Sequence, residues 1–229
     1  MSLYKYETHL HTSEASACGA ATGAEMARAY KEAGYAGIIV TDHFFNGHTS
    51  VDRRLPWKEK VRRFCRGYEN AKKHGERIGL SVFFGWEYAY EGSEFLTYGL
   101  DGDWLAEHPE VMDMPVYDYI KFARLNGGYV VQAHPFRQEL YIKKFTLLPE
   151  ITDAVEVYNA RNRFLECDLR AEWYADSYNL PKTSGSDAHN ADYLDGFGVA
   201  SSYKFNDIHD YISAVENREL KLIRLPTAR

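Results

Sequence analysis

The chain has 229 residues, a formal net charge of -6, 45% hydrophobic residues and 26% charged residues. This balance is typical of a globular protein and excludes long disordered stretches, and the acidic charge makes an extended nucleic-acid-binding surface unlikely. Three widely spaced cysteines and the lack of a visible signal peptide favour the cytoplasm, and no apolar run is long enough to span a membrane. Because no repeat or low-complexity linker appears, we expect residues 1–229 to form one domain.

Strand-like runs recur along the whole chain, most of them short and rich in Val, Ile, Phe and Tyr. In chain order they cover residues 5–10, 36–43, 79–88, 95–100, 127–134, 153–159, 180–187, 196–202 and 220–225. Apolar strands of this kind are typical of a parallel sheet that is buried on both faces.

Helical patterns lie between many of these runs. Thr22 and Glu25 form a capping box ahead of the first helix, which Gly34 ends. Further patterns predict helices over residues 57–74, 116–125 and 164–178, and a last helix capped by Asn206. The alternation predicts an α/β fold, in which so many units favour a barrel over an open sheet.

Polar residues stand at the C-terminal ends of six strand runs, where barrels of this kind place their functional groups. His9 and His11 are two apart on a strand, so both rings face the same side, as metal binding requires. The complete set is His9, His11, Asp42, His43, Glu87, His134, Glu156, Asn159, Asp187 and His189. No serine-hydrolase elbow, phosphate-binding loop or Cys-x-x-Cys motif competes with this constellation.

Several motifs in order, "HLHT", "GYAGIIVTDH", "AHPF" and "GSDAH", resemble those of the polymerase and histidinol phosphatase (PHP) domain family. The resemblance extends from about Tyr4 to Ser202. It implies a distorted seven-stranded (β/α) barrel with a centre of two or three divalent transition-metal ions (Zn, Mn or Fe) at the C-terminal ends of the strands. Most members of the family are phosphoesterases, and some are proofreading nuclease domains of polymerases.

The resemblance also implies a role for each ligand. A first metal is bound by His9, His11 and Asp187, and Glu87 bridges it to a second metal bound by His134. A third metal is bound by His43 and His189, with Asp42 expected to orient its neighbour His43.

Two departures from the family pattern concern these metals. A histidine expected shortly after His11 is missing, and Glu14 is the candidate to complete the third site, with Cys18 as a weaker rival. A second histidine, expected between Glu87 and His134, is also missing, so water or Glu94 would have to supply that ligand.

The function expected from these features is hydrolysis of a phosphate ester of a small molecule or nucleotide by a metal-bridging hydroxide. Glu87, Asp187 and His189 are the expected catalytic residues, and Arg137 and Arg161 the expected phosphate contacts. The substrate stays open and includes that of a histidinol-phosphatase-type enzyme. The basic run at residues 52–66 is better explained by a solvated helix face than by nucleic-acid binding.

Two other classes of function compete with this one. An amidohydrolase that cleaves C–N bonds could use the same centre, but such barrels commonly add a bridging lysine, and no lysine ends an inner strand here. A non-catalytic metal-binding accessory domain is disfavoured by the complete set of Glu87, His134, Asp187 and His189.

Overall fold

The computed structural model describes residues 3–140, 142, 144–192, 194 and 196–224. Every predicted strand run overlaps a strand, which confirms the predicted positions to within about three residues. The strands are β1 Tyr4–Leu10, β2 Gly37–Val40, β3 Ser81–Tyr90, β4 Ser93–Tyr98, β5 Tyr129–Ala133, β6 Ala154–Asn159, β7 Lys182–Gly185, β8 Gly198–Ser201 and β9 Lys221–Ile223. Leu225, the last residue of the predicted ninth run, lies outside the described residues.

The strands form one sheet in the order β7-β6-β5-β4-β3-β2-β1-β8-β9. β1, β2 and β3 are mutually parallel, and so are β5, β6 and β7. β4 is antiparallel to both of its neighbours, and β8 and β9 extend the sheet beyond β1 in antiparallel pairs. The sheet is therefore mixed, which corrects the prediction of a parallel one.

The end of β7 meets β1, so strands β1 to β7 form a nearly closed barrel. Thr8 Oγ1 donates to the Ser184 carbonyl at 2.8 Å, and the backbones of Leu10 and Ala188 form a bridge just beyond the strands. The α/β barrel expected from the sequence is thus confirmed. Its regular repeat of strand and helix is interrupted where β3 leads directly into β4.

A tight hairpin explains the reversed direction of β4. Glu91 and Gly92 form its two-residue loop, with φ angles of 47° and 88°. Positive φ at both positions is the backbone of a type I′ turn, whose twist matches that of paired strands. The hairpin makes the first residues of β4, including Glu94, emerge at the same barrel end as the last residues of β3.

The helices are α1 Gly23–Glu32, α2 Trp57–Phe64, α3 Arg66–Ile78, α4 Gly102–Glu107, α5 Val116–Leu125, α6 Leu165–Ser177 and α7 Ile208–Glu216, with a 3-10 turn at Pro109–Met112. The capping box of Thr22 and Glu25 is confirmed. None of the helices in the described ranges has the length and apolar character needed to span a bilayer.

Two helix predictions need correction. The helix predicted over residues 57–74 is two helices, because the chain leaves regular helix geometry at Cys65 and continues to Ile78. The cap of the last helix is Asp207 rather than Asn206, since the Asp207 carboxylate accepts hydrogen bonds from the backbone N–H groups of His209 and Asp210.

Helix α3 packs closely against the loop that follows β1. A Cβ atom at Gly67 would lie 2.0 Å from Thr12 Oγ1 and 2.9 Å from a carboxylate oxygen of Asp42. Only glycine permits this approach, which fixes the loop after β1 against the end of β2. Aromatic packing of Phe44 on Trp86 and Phe64 anchors the segment that follows His43.

Candidate metal centre

The polar strand ends predicted from the sequence converge at one end of the barrel. His9 and His11 lie on and just after β1, Glu87 on β3, His134 just after β5 and Asp187 just after β7. All five side chains are at most 3% exposed. Charged groups are seldom buried without partners or a bound metal, so the cluster requires an explanation beyond packing.

The innermost contacts join β1 to the segment after β7. His9 Nε2 and His11 Nε2 are 3.2 Å apart, and His11 Nε2 lies 3.1 Å from Asp187 Oδ1. His9 Nε2 is 3.2 Å from Glu87 Oε1, which is also 3.2 Å from His134 Nε2. Glu87 therefore contacts both groups of side chains, as a bridging carboxylate would.

The other oxygen of Glu87 faces the outside of the cluster. Glu87 Oε2 lies 2.7 Å from His43 Nδ1, yet neither buried atom has a well-aligned hydrogen bond. Further out, the rings of His43 and His189 lie 4.2 Å and 4.4 Å from the ring of His11, centroid to centroid. Buried polar atoms that face each other without a hydrogen bond are expected where a cation belongs.

The donor atoms fit metal binding in number, type and spacing. Within the described residues, four overlapping triads have donor atoms within 4.8 Å of one another: His9, His11 and Asp187; His9, Glu87 and His134; His43, Glu87 and Glu94; and His11, His43 and His189. Ligands about 2.0–2.2 Å from one tetrahedral ion lie roughly 3.3–3.6 Å apart. The inner contacts of 3.1–3.8 Å agree with this spacing.

Further hydrogen bonds hold the imidazole rings of His9, His11 and His189 in place. His9 Nδ1 lies 2.9 Å from Glu156 Oε1, and His189 Nδ1 lies 2.7 Å from the Asp187 carbonyl. His11 Nδ1 contacts Ser16 Oγ at 3.2 Å, and Ser16 in turn donates to Asp42 at 2.6 Å. These contacts leave the Nε2 atoms directed into the cluster. Asp42 thus supports His11 through Ser16, which corrects the expectation that it orients the ring of His43.

Two residues of the cluster have unusual backbone conformations. His134 has a φ of 26° and Asp187 a φ of 54°, the left-handed region that residues other than glycine seldom occupy. Both stand immediately after barrel strands, where a sharp change of direction points their side chains inward. Strain of this kind is typical of functional sites, where the surrounding structure maintains it.

The pKa values of the buried carboxyl groups are shifted in different directions. Burial raises the pKa of Asp187, but Arg137, His9 and His11 outweigh it and hold that pKa well below the usual range. Burial likewise raises the pKa of Glu87, which His9, His43 and His134 bring well below its usual range. Burial and the neighbouring Glu87 raise the pKa of Glu94. Glu87 and Asp187 are therefore held as anions.

Comparisons with known proteins agree with this barrel and its polar end. A solved two-domain protein from Bacteroides vulgatus, described as containing a predicted PHP-like metal-dependent phosphoesterase, superposes with a TM-score of 0.75 at 16% identity. That match covers 97% of this chain and 65% of the other. A family model described as PHP-associated matches residues 169–194, which include Asp187 and His189. The chain has a PHP-type fold.

Other matches to this PHP-type barrel differ in their named activities. An amidohydrolase from Chromobacterium violaceum has a TM-score of 0.61 at 15% identity, covering 98% of this chain and 99% of the other. A lesion-specific endonuclease from Pyrococcus furiosus has a TM-score of 0.64 at 15% identity, covering 96% and 58%. At these identities the likeness concerns the fold.

A curated relative has higher identity but a shorter match. An uncharacterized protein of Methanocaldococcus jannaschii is 33% identical over 130 residues, which is 54% of this chain. The match spans 45% of that protein, so the chain corresponds to less than half of its length.

Glu14 is not part of the cluster of the PHP-type domain, contrary to the expectation that it completes the third site. Its carboxylate accepts hydrogen bonds from the Gly23 backbone N–H at 3.0 Å and from Asn70 Nδ2 at 3.0 Å. The first is the N-terminal N–H of helix α1, where a negative charge is favourable. The loop after β1 turns Glu14 towards the helices instead of over the barrel.

Cys18 and Glu94, the two alternatives that the sequence offered for the missing histidines, lie beside the cluster. Cys18 lies in hydrogen-bond contact with His43 and His189, and these contacts outweigh burial and lower the pKa of its thiol to about 5. Glu94 lies 3.4 Å from His134 Nε2 and 3.9 Å from His43 Nδ1. In the sequence, the turn residues Glu91 and Gly92 just before Glu94 could have indicated that Glu94 lies at this end of the barrel. Gly19, just after Cys18, is a weaker indication of a tight loop there.

A cavity of about 550 Å³ opens above the cluster, lined in part by Asn46, His48, Tyr90, Arg137, Arg161 and His189. Arg137 is buried, and its Nη2 donates to Asp187 and, at 2.7 Å, to Asn159 Oδ1. The Arg161 side chain forms no hydrogen bond or ion pair with the described residues. Arg137 therefore positions Asp187, whereas Arg161 is available to a molecule in the cavity.

Proposed function

We propose that this chain is a metal-dependent phosphoesterase that hydrolyses a phosphate ester of a small molecule or nucleotide. The observation that carries the proposal is the contact of Glu87 with His9 and His134 through one oxygen and with His43 through the other. A carboxylate in this position would be a ligand of two cations at once, one through each oxygen. Since the cluster combines residues from β1 to the segment after β7, residues 1–229 are proposed to act as one domain.

The proposed centre holds two or three divalent transition-metal ions, Zn, Mn or Fe, which imidazole and carboxylate ligands accept. Their proposed ligands are His9, His11, His43, Glu87, Glu94, His134, Asp187 and His189. Bound ions of this kind lower the pKa of water and stabilise charge on a phosphoryl group.

The protein residues have separate proposed roles. Glu87 and Asp187, held as anions, balance the charge of the ions, and Arg137 fixes the Asp187 carboxylate. His189 borders the cavity and would bind a metal ion there through Nε2, because its Nδ1 is bonded to the Asp187 carbonyl. Arg161 binds the phosphoryl oxygens, for which a guanidinium is well suited.

The cavity lining favours phosphate over amide substrates. Two arginines border it, while no lysine is among the described residues that line it. The arginines suit a substrate with negative charge, and a bridging lysine of the kind common in amidohydrolase barrels is missing among these residues. Cleavage of a C–N bond is therefore the second candidate. Because an amidohydrolase shares the fold, amide substrates are included in the test below.

A small substrate is favoured over a long nucleic acid. In the basic run, Arg62 and Arg63 pair with Glu59, and Arg54 pairs with Asp52, so these side chains are engaged with acidic neighbours. Glu91 and Glu94 also line the cavity, so its lining lacks the continuous positive charge that an extended phosphate backbone favours. Nucleotide ends and short oligonucleotides remain in the assay because the endonuclease shares the fold.

The test is a phosphate-release screen on protein freed of metal and then reconstituted with Zn, Mn or Fe. The panel contains aryl, sugar and nucleotide phosphates, histidinol phosphate, short oligonucleotides and amide substrates. We expect metal-dependent phosphate release, which Glu87→Gln should abolish in a folded protein, since an amide cannot bridge two cations. Turnover of amides alone, or wild-type phosphate release by Glu87→Gln, would overturn the proposal.

A further inference from the structure

The loop that carries Cys18 is fixed on both sides of the cysteine. The Ala17 N–H donates to the His48 carbonyl at 2.8 Å, and the Ala20 N–H donates to the His189 carbonyl at 2.7 Å. A Cβ atom at Gly19 would lie 2.5 Å from the Thr12 backbone, so the tight course of this loop requires glycine. The thiol is therefore held at a defined place beside the outer histidines.

The surroundings of Cys18 differ from those of the other two cysteines. Its thiol contacts the rings of both His43 and His189 and borders the cavity with them. Cys65 is 7% exposed within an apolar cluster, and Cys167 is 1% exposed on the buried face of helix α6. Only Cys18 among the three cysteines borders this cavity.

The positions of the outer histidines are independent evidence for a metal ion bound beside Cys18. The donor atoms of His11, His43 and His189 lie within 4.8 Å of one another. His43 is 8% exposed, and its Nδ1 has no aligned hydrogen-bond partner. Three imidazoles with donor atoms this close together, beside a thiol that borders the same cavity, provide donors suited to a cation.

We propose that Cys18 binds the outer metal ion as a thiolate, together with His43 and His189, and makes this position selective for zinc over manganese. On binding, the S–H bond breaks, the sulfur donates its electron pair to the metal and the proton leaves to solvent. The inner triads offer only imidazole and carboxylate donors, which also suit manganese, whereas a thiolate favours softer ions. This inference rests on the metal centre of the proposed function and adds a ligand and a metal preference.

Cobalt(II) provides the test, because it replaces zinc and absorbs in the near ultraviolet when a thiolate binds it. We expect this charge-transfer band in the wild-type full-length chain and in the matched control Cys167→Ala. The band should be absent in Cys18→Ser, and zinc content should fall by about one equivalent per chain. Cys18→His should restore the zinc content without the band, which separates a ligand from a merely structural residue.

The wild-type protein gives a second test that needs no variant. In the metal-free protein a thiol reagent should modify Cys18 far faster than the buried Cys65 and Cys167. Zinc should protect Cys18, and manganese at equal concentration should not. In a mixture of equal zinc and manganese, the wild type should retain about one zinc, and Cys18→Ser should lose that preference.

Two results would overturn the inference. One is a cobalt-loaded wild type with no charge-transfer band, or with a band that Cys18→Ser retains. The other is an equal rate of Cys18 modification with and without zinc. Hydrolysis is measured on the same samples. A thiolate band without phosphate release would support Cys18 as a metal ligand and would contradict only the proposed activity.

Discussion

The inner and outer halves of the cluster are built differently. The inner half, His9, His11, His134 and Asp187, is at most 3% exposed and stands on or directly after barrel strands. The outer half, Cys18, His43 and His189, lies in segments that follow strands, and Cys18 and His189 are partly exposed. Glu156 on β6 holds the ring of His9 and Ser16 holds the ring of His11, whereas the outer donors are placed by the loops that carry them. The barrel strands thus set most of the inner geometry, and the loops set which donors form the outer half.

The largest expected effect comes from removing the charge partner of Arg137 in the inner half. Asp187→Ala leaves this buried guanidinium unpaired, which should lower the free energy of unfolding of the metal-free protein by about 3–5 kcal/mol. Denaturant unfolding measures the change. The double variant Arg137→Ala with Asp187→Ala should recover much of the stability without recovering activity. Equal stability of Asp187→Ala and wild type would show that the pair is not a structural element.

Arg161 tests whether the cavity binds a phosphoryl group independently of the metals. Arg161→Ala should lower kcat/KM for the best phosphate substrate by roughly 10- to 150-fold, the loss of a charge-assisted hydrogen bond of about 1.5–3 kcal/mol. Metal content should not change, because Arg161 contacts no ligand. Arg163→Ala is a matched control, since Arg163 pairs with Glu139 away from the cluster. An unchanged kcat/KM would assign the phosphate contact to another residue.

Ser16 tests whether the inner half depends on its supporting hydrogen bonds. Ser16→Ala removes the link between His11 and Asp42 and should weaken metal binding by about 10- to 100-fold. Metal titration against a competing chelator measures this, and a concentration of metal high enough to saturate the variant should restore activity. The exposed Ser13→Ala serves as the control in the same loop. Unchanged affinity in Ser16→Ala would remove Ser16 from the support of His11.

The smallest effect is expected at Glu14. Glu14→Ala should leave the metal content unchanged but cost about 0.5–2 kcal/mol of stability, because the N-terminal N–H of α1 loses its acceptor. Thermal unfolding and elemental analysis are the two measurements, and Glu14→Gln, which keeps an acceptor oxygen, should cost less. A loss of one metal equivalent in Glu14→Ala would return Glu14 to the outer half.

The sequence predicted strand positions well because most strands are short runs rich in Val, Ile, Phe or Tyr, and it predicted which polar residues end them. It did not predict strand direction, which depends on the short turn at Glu91 and Gly92 and not on the apolar pattern of β4. For this reason the sequence offered Glu94 only as one alternative for the missing ligand. The directions of β8 and β9 are likewise decided by long-range pairing with β1.

The loop after β1 was the least predictable part of the site. Glu14 stands three residues and Cys18 seven residues after His11, and the sequence favoured the carboxylate because a lone cysteine is more often a small packed residue. The distinction between them comes from the N-terminus of α1, which attracts Glu14, and from Gly67, which lets α3 approach the loop. Neither contact is local in sequence, so no periodicity could reveal it.

The closure of the barrel by β1 and β7 has a consequence for the order of folding. Thr8 and Ser184, which join these strands, are 176 residues apart, and the proposed ligands His9, His11 and Asp187 meet only after this contact forms. Contacts so distant in sequence form late, since their loop-closure entropy is lost before they are stabilised. We therefore expect bound metal ions to slow the unfolding of the assembled barrel and to leave its rate of folding almost unchanged.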